Sequence, residues 1–161
     1  MEFKVGDKAV YPSRGVVVVT AVETMEVEGF RGQMYKLKIL DNGSSISVPV
    51  QNVQQLGMRR IISAEQVDKV YEILRDRDVP ADNQTWNRRY REYKDKINTG
   101  DLMEVGKVLR DLALLKAKKN LSFGERKMYD EASTLLIQEI AVARDLDEKL
   151  IRTEIEQIFA S

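Results

Sequence analysis

The sequence predicts an α+β protein in which a small antiparallel β-barrel precedes an all-α domain of about five helices. Residues up to about 60 are rich in β-branched side chains separated by turn signals, whereas apolar residues recur at helical spacing after residue 62. The join between the two patterns contains no low-complexity linker. The 161 residues can form two small domains, which we place at residues 1–60 and 61–161.

The first pattern consists of short runs with high β propensity. The predicted strands span residues 8–11, 16 to about 27, 34–40 and 45–50. Residues 12–15 form a turn between the first two, and Asp41-Asn42-Gly43 is a hairpin signal between the last two. Four or five such strands in about sixty residues favour a strongly bent barrel of the Tudor or SH3-like kind.

The last of these strands contains Pro49, which has no N–H to donate to a central ladder. We therefore predict that this strand lies at a sheet edge or ends in a bulge. An edge carrying the apolar residues Ile46 and Val48 could dock another sheet, although an edge strand that recruits no partner remains the alternative.

The second pattern carries helix start and stop signals. Ser63-Ala64-Glu65-Gln66 and Ser122-Phe123-Gly124-Glu125 are capping boxes, and residues 79–83 and 98–101 interrupt the helical spacing. The predicted helices begin near residue 64, span about 85–97, run from 102 into a basic cluster at 116–119, span 123 to about 144, and begin again near 147. Five helices of this length can bury a core of their own.

Composition excludes several classes of function. The chain has no cysteine and no histidine, so it lacks disulfides, thiolate metal sites and the commonest general base. It also has no phosphate-binding glycine loop, zinc-binding signature or nucleophile elbow. We therefore predict no catalytic residues, no metal site and no cofactor, and an enzyme built on a carboxylate pair is the weaker alternative. The absence of a signal peptide and of a long apolar run predicts a cytoplasmic protein.

The formal net charge of zero conceals a segregated charge distribution. Residues 86–127 contain twelve basic and six acidic residues, whereas residues 130–161 contain three basic and eight acidic ones. A chain with such polarity can present one basic face to a polyanion, although ordinary helix-surface charge gives the same counts.

Trp86, the only tryptophan, opens the arginine-rich run 86–91. Arginine neutralises phosphates, and a flat ring can stack on a base or wedge into an opened base step. Trp86, Tyr90, Tyr93 and Ile97 also share one helical face, so all four could line a buried stripe. Tyr90, Tyr93 and Ile97 are good core candidates, whereas the position of Trp86 at a helix start could leave its ring uncovered. For Phe123, a buried contact is the more usual outcome.

Four segments in order along the whole chain resemble the bacterial CarD family, specifically its short CdnL-type members. They are Phe3-Lys4-Val5-Gly6-Asp7-Lys8-Ala9-Val10-Tyr11-Pro12 with Gly15, Thr85-Trp86-Asn87-Arg88-Arg89-Tyr90-Arg91, Val108-Leu109-Arg110-Asp111-Leu112, and Leu121-Ser122-Phe123-Gly124-Glu125-Arg126-Lys127-Met128. None of these motifs is specific alone, but together they cover the chain at the family's spacing.

The resemblance implies a transcription regulator with two contact surfaces. The Tudor-like domain, which also looks like the polymerase-interacting module of transcription-repair coupling factors, would dock edge-to-edge on the RNA polymerase β subunit of a σ-containing holoenzyme. The helical domain would lie on promoter DNA at the upstream edge of the bubble, where a tryptophan wedge stabilises the open complex. We expect a monomer that contacts no membrane. The alternative is an autonomous, non-specific DNA-binding or architectural protein that needs no polymerase.

The resemblance also implies particular residues. The family's wedge corresponds to Trp86, and its DNA-contacting neighbours correspond to Arg88, Arg89, Arg91, Lys94, Phe123, Arg126 and Lys127. The polymerase-docking residues would be Met25, Leu37, Ile46, Ser47, Val48 and Pro49. Some family members have arginines where this chain has Met25 and Ser47, so its docking would depend more on backbone pairing and apolar contact.

Overall fold

The structure is a computed structural model that describes residues 2–12, 14–78 and 85–160. It contains two compact units, residues 1–61 and 62–161. The predicted interruption at residues 79–83 lies outside the described residues. The fold class is α+β, as the sequence predicts, with five strands followed by five α-helices in the described residues.

The amino-terminal unit is an antiparallel sheet with strand order β4-β3-β2-β1-β5. Its strands are β1 (Lys8–Tyr11), β2 (Gly15–Val27), β3 (Phe30–Ile39), β4 (Ser45–Pro49) and β5 (Arg59–Arg60), and a 3₁₀ turn, Val50–Asn52, follows β4. The side chains of the core come from these strands and the flanking segments: Phe3, Ala9, Val17, Val19, Tyr35, Leu37, Ile39, Val48, Val53 and Met58.

The sheet differs from the sequence prediction in two places. Strand β3 begins at Phe30, four residues earlier than predicted, because Glu28 and Gly29 form a two-residue turn with φ of 46° and 83°. Positive φ at both central residues matches the right-handed twist of the paired strands, so the pairing continues up to the turn. The short strand Arg59–Arg60, which pairs with β1, was not predicted because two arginines carry no strand pattern.

The carboxy-terminal unit consists of helices α1 to α5. Their bounds are α1 Ala64–Arg75, α2 Trp86–Asn98, α3 Leu102–Lys116, α4 Phe123–Arg144 and α5 Glu148–Ala160. Both predicted capping boxes are present, since Ser63 and Ser122 accept from the backbone N–H groups of Gln66 and Glu125. One apolar cluster drawn from all five helices forms the core.

Two wider properties follow from the described residues. No helix among them combines the length and apolar composition needed to cross a membrane. In residues 2–12, 14–78 and 85–160, no group of three acidic side chains is arranged to hold a metal ion.

Candidate functional site

The side chain of Trp86 is half-buried at the first position of α2. It packs against the helical core and makes an edge contact with Tyr90, with ring centroids 5.7 Å apart. The indole also lies over Gly124 at the start of α4, because a Cβ at that glycine would be 3.2 Å from the indole Cζ2 atom. One face of the indole therefore packs on protein while part of the ring remains accessible to solvent. The ring is neither fully buried in a core stripe nor fully uncovered, which were the two sequence interpretations.

The other aromatic residues of this region differ from the sequence prediction in which side chains are buried and which are exposed. Tyr93 and Ile97 are buried as expected, but Tyr90 is 44% exposed because its ring packs on the indole and not in the core. Phe123 is 85% exposed, so the expectation of a buried contact was wrong. Phe123 is two residues from the buried Glu125, about 200° around the helix, and therefore faces the opposite side.

The predicted phosphate-binding cations also divide into two groups. Arg88, Arg91, Arg126 and Lys127 are exposed, and Arg88 forms a 4.0 Å ion pair with Glu92 one turn away. Exposed pairs of this kind contribute little and exchange readily for another anion. These four residues keep the accessible positive charge that a phosphate contact requires.

Arg89, which the resemblance assigns to phosphate binding, is placed differently from Arg88 and Arg91. Its side chain is only 16% exposed, and its Nη1 atom lies 3.8 Å from Oε2 of the buried Glu125. Lys94 is an intermediate case, because its Nζ atom is 3.0 Å from Glu131 while the side chain remains 39% exposed. A buried charge partner holds Arg89 inside the unit, whereas the pair of Lys94 is partly in solvent and correspondingly weaker.

Glu125 is a residue whose role the sequence did not reveal. Its carboxylate accepts from the backbone N–H of Ser122 at 2.9 Å and lies 3.3 Å from Nζ of Lys119, in addition to Arg89. Burial by itself would raise its pKa, but the hydrogen bonds from Ser122 and Lys119 more than offset this and hold the pKa below the ordinary glutamate value. The capping box predicted the backbone contact, but the two cations come from α2 and from the segment between α3 and α4.

The lowered pKa of Glu125 predicts a pH-dependent stability. The folded state favours the ionised carboxylate, so the contribution is present above the ordinary glutamate value of 4.5 and is lost as the pH falls from there through the folded-state pKa. We expect Glu125→Gln to lower the free energy of unfolding by about 1–3 kcal/mol at pH 7, because the charged hydrogen bonds are lost. The difference between the two proteins should shrink as the pH falls below 4.5.

Thermal and denaturant unfolding at several pH values from neutral to acidic would measure this difference. Lys119→Gln is the matched control: its side chain is 54% exposed, so its removal should cost less than about 1 kcal/mol. A difference between wild type and Glu125→Gln that stays constant down to the most acidic pH would contradict the assignment.

A groove of about 870 Å³ lies between α1 and α5 in the same unit. The hydroxyl of Tyr71 donates to Glu154 at 2.7 Å, and Arg144 contacts both residues. Burial, followed by the hydrogen bond to Glu154, raises the pKa of Tyr71 to about 12. Because these polar groups are engaged with one another, the cluster ties α5 to the rest of the unit.

The second predicted site is the β4 edge of the sheet. The edge position of β4 confirms the prediction drawn from Pro49. However, the side chains of Leu37 and Val48 are 1% and 2% exposed, and Ile46 packs against the same core. The structure therefore contradicts direct side-chain contacts from Leu37 and Val48 to a partner. Both lie on the inner face of the sheet, because alternate residues of a strand share a face.

The backbone N–H and C=O groups of β4 alternate between hydrogen bonds to β3 and the outer edge of the sheet. The N–H of Ile39 donates to the carbonyl of Ser44 at 2.8 Å, which fixes where hydrogen bonding to β3 begins. Hydrogen-bonded and non-hydrogen-bonded pairs alternate along an antiparallel ladder. Since Leu37 pairs with Ile46 and Tyr35 with Val48, these pairs use their backbone groups within the sheet.

The intervening residues Ser45, Ser47 and Pro49 occupy non-hydrogen-bonded pairs. The backbone groups of Ser45 and Ser47 are consequently directed toward the outer edge of the described sheet. Pro49 loses no ladder bond by lacking an N–H, which explains why the strand tolerates it. The β4 edge therefore offers the backbone donors and acceptors of Ser45 and Ser47.

The two remaining predicted docking residues differ in exposure. Ser47 is exposed, while Met25 is half-buried on β2 opposite Gly32.

The amino-terminal sheet thus has an edge strand with outward-directed backbone groups, and the helical unit carries exposed aromatic and basic side chains. A sequence model of the CarD-like/TRCF RID domain matches residues 3–62, and one of the CarD C-terminal domain matches residues 69–156. The chain therefore belongs to the CarD family. Membership supports a role in transcription regulation, and the RID is an RNA polymerase-interacting domain.

The chain is similar to one curated protein over nearly its whole length and to two shorter solved structures. The chain is 30% identical to the putative transcription factor YdeB of Bacillus subtilis (strain 168) over 155 residues, covering 94% of this chain and 98% of that protein. The NMR structure of the 72-residue N-terminal domain of Myxococcus xanthus CarD is 32% identical and covers 37% of this chain and 79% of its own, with a TM-score of 0.33. CdnLNt from the same organism is 49% identical over 39% of this chain and 89% of its own, with a TM-score of 0.34.

Proposed function

We propose that this protein is a non-enzymatic transcription regulator that docks on the β subunit of RNA polymerase and stabilises the open promoter complex. In this proposal the β4 edge contributes the polymerase contact, and the helical unit contacts DNA at the upstream edge of the bubble. The observation that carries the DNA contact is the partly exposed indole of Trp86, which packs over Gly124 beside exposed cations.

The aromatic surface suits a wedge more than a base-reading element. Phe123 is almost fully exposed and is the chain neighbour of Gly124, which contacts the indole. Insertion of an apolar side chain at a base step unstacks the step without hydrogen bonds to the base edges. The exposed cations Arg88, Arg91, Arg126 and Lys127 would hold phosphates on either side, and phosphate contacts also carry no sequence information.

The polymerase contact is supported by the geometry of β4 and by the match to the RID domain. An added strand would pair with the outward backbone groups of Ser45 and Ser47. Such pairing needs no particular side chain at Ser47, which agrees with the small residue found there.

Tethering explains how a weak DNA contact could be effective. A few phosphate contacts give non-specific binding with a Kd of roughly 10⁻⁴–10⁻⁶ M at physiological salt and a strong salt dependence. Docking on polymerase converts this contact into an intramolecular one at a high effective concentration. Slowing bubble closure tenfold then requires only about 1.4 kcal/mol.

This proposal predicts that DNA binding by the whole protein alone is weak, salt-sensitive and equal for unrelated sequences. Fluorescence anisotropy with labelled duplexes at two salt concentrations measures the affinity, and open-complex lifetime with holoenzyme measures the function. We expect the lifetime to increase at protein concentrations well below the Kd for free DNA. Tight DNA binding without polymerase, and no effect on the lifetime, would favour the autonomous DNA-binding protein instead.

A further inference from the structure

We propose that Gly124, Glu125 and Arg89 form an indole seat that fixes how far Trp86 projects from the helical unit. Gly124 is the surface under the ring, and the Glu125–Arg89 pair joins the beginning of α2 to the beginning of α4. The structural part of this inference is independent of function. Its importance for the open complex rests on the function proposed above.

Gly124 sets the depth of the ring by having no side chain. It lies in the first turn of α4 without a positive φ, so its backbone conformation suits alanine as well as glycine. A Cβ there would be 3.2 Å from Cζ2 and 3.3 Å from Nε1 of Trp86, closer than ordinary van der Waals contact. Even one methyl group would therefore push the indole outward by a few tenths of an ångström.

The Glu125–Arg89 pair holds the two helix starts together. Arg89 is three residues after Trp86 and so lies one turn along the same side of α2. Its guanidinium is 3.8 Å from the carboxylate of Glu125, which follows Gly124 directly, and both side chains are largely buried. Thr85, the N-cap of α2, makes no side-chain capping hydrogen bond, so this tertiary pair replaces local capping as the anchor of the first turn.

A seat of this kind prepares the ring for insertion. A side chain ordered before binding loses little conformational entropy when it meets its partner. Arg89 would then act through Trp86 as a positioning residue and make no phosphate contact. This interpretation accounts for a mostly buried arginine within an arginine-rich segment whose other members, Arg88 and Arg91, are exposed.

The matched experiment compares Gly124→Ala with Gly106→Ala in the full-length chain. Gly106 also lies in a helix, but a Cβ there would be 3.6 Å from Val70 and 3.7 Å from Ile73, which is ordinary contact. Because Trp86 is the only tryptophan, intrinsic fluorescence reports directly on the indole. We expect Gly124→Ala to shift the emission to longer wavelength and to increase acrylamide quenching, with no loss of thermal stability, and Gly106→Ala to match wild type.

Glu125→Gln tests the other half of the seat. Glutamine keeps the capping-box acceptor but removes the charge that faces Arg89, so the emission and quenching should change in the same direction as in Gly124→Ala. Wild-type emission and quenching in Gly124→Ala would overturn the glycine as the support of the ring. Wild-type values in folded Glu125→Gln would overturn the ion pair as its anchor.

Open-complex lifetime separates this inference from the proposed function. If the seat matters for function, Gly124→Ala shortens the lifetime severalfold and Gly106→Ala does not. A shifted emission with a wild-type lifetime, while Trp86→Ala shortens the lifetime, would overturn the link between seat and function and leave the proposed function standing. If Trp86→Ala itself has no effect, the proposed function fails, and the fluorescence of Gly124→Ala still decides whether the seat exists.

Discussion

Replacing Trp86 by alanine is expected to shorten the lifetime of the open promoter complex about tenfold, because one wedged or stacked aromatic ring contributes roughly 1–3 kcal/mol. The partly exposed indole packs over the backbone of Gly124. The indole is therefore already held in place before it contacts a base step, and little side-chain entropy is lost on insertion. Competitor-challenge kinetics on a σ-dependent promoter would measure the lifetime with and without the substitution.

Polymerase binding should not change in the same variant, since the predicted docking edge belongs to the amino-terminal unit and Trp86 to the other. Leu150→Ala is the matched control: Leu150 is an apolar residue of α5 with 55% exposure, and its truncation should leave the lifetime at the wild-type value. Equal lifetimes for Trp86→Ala and wild type would refute the wedge assignment, as would an equal loss in Leu150→Ala.

Replacing Ser47 by proline is the second change with a large expected effect, namely a loss of at least about tenfold in affinity for the polymerase β subunit. Proline removes the outward N–H of β4 and places its ring where an added strand would approach. A lost backbone hydrogen bond contributes about 0.5–1.5 kcal/mol, and the steric conflict adds to this. A pull-down or biolayer interferometry with the β subunit would measure the affinity.

The fold should survive this proline because Ser47 occupies a non-hydrogen-bonded pair with Lys36. Pro49 already occupies the equivalent position two residues later. Ser47→Ala is the matched control and should bind the β subunit like wild type, because it changes only the side chain. Undiminished binding by folded Ser47→Pro would rule out docking through the β4 edge, whereas a comparable loss in Ser47→Ala would assign the contact to the hydroxyl.

Local signals in the sequence were sufficient for most of the fold. The two capping boxes predicted the starts of α1 and α4 because a cap depends only on residues within one turn. Pro49 predicted an edge strand for an equally local reason, the missing N–H. The start of β3 was placed too late, because the strand continues to the turn at Glu28 and Gly29, and a strand pattern does not reveal the positive φ of these two residues.

The candidate sites were less predictable, because their side chains are directed by tertiary contacts. Val48 appeared to be an exposed docking residue, yet it lies in the sheet core. Arg89 appeared equivalent to Arg88 and Arg91 in a basic run, but a glutamate 36 positions away in the sequence draws it inward. For Phe123, a buried contact was the more usual outcome and the family resemblance implied a DNA contact; the burial of Glu125 directs the opposite side of α4 toward solvent and leaves Phe123 exposed.

The sequence by itself determined the α+β fold class, the helix starts, the edge strand, the absence of the usual catalytic side chains and the resemblance to the CarD family. These features depend on residue types, their spacing and short-range backbone chemistry. Only the tertiary structure decided that Trp86 is partly exposed over Gly124, that Arg89 pairs with Glu125, and that the outer edge of β4 presents its backbone and not the side chain of Val48. The physical reason is that burial and ion pairing depend on which distant elements pack together, and no local pattern encodes that.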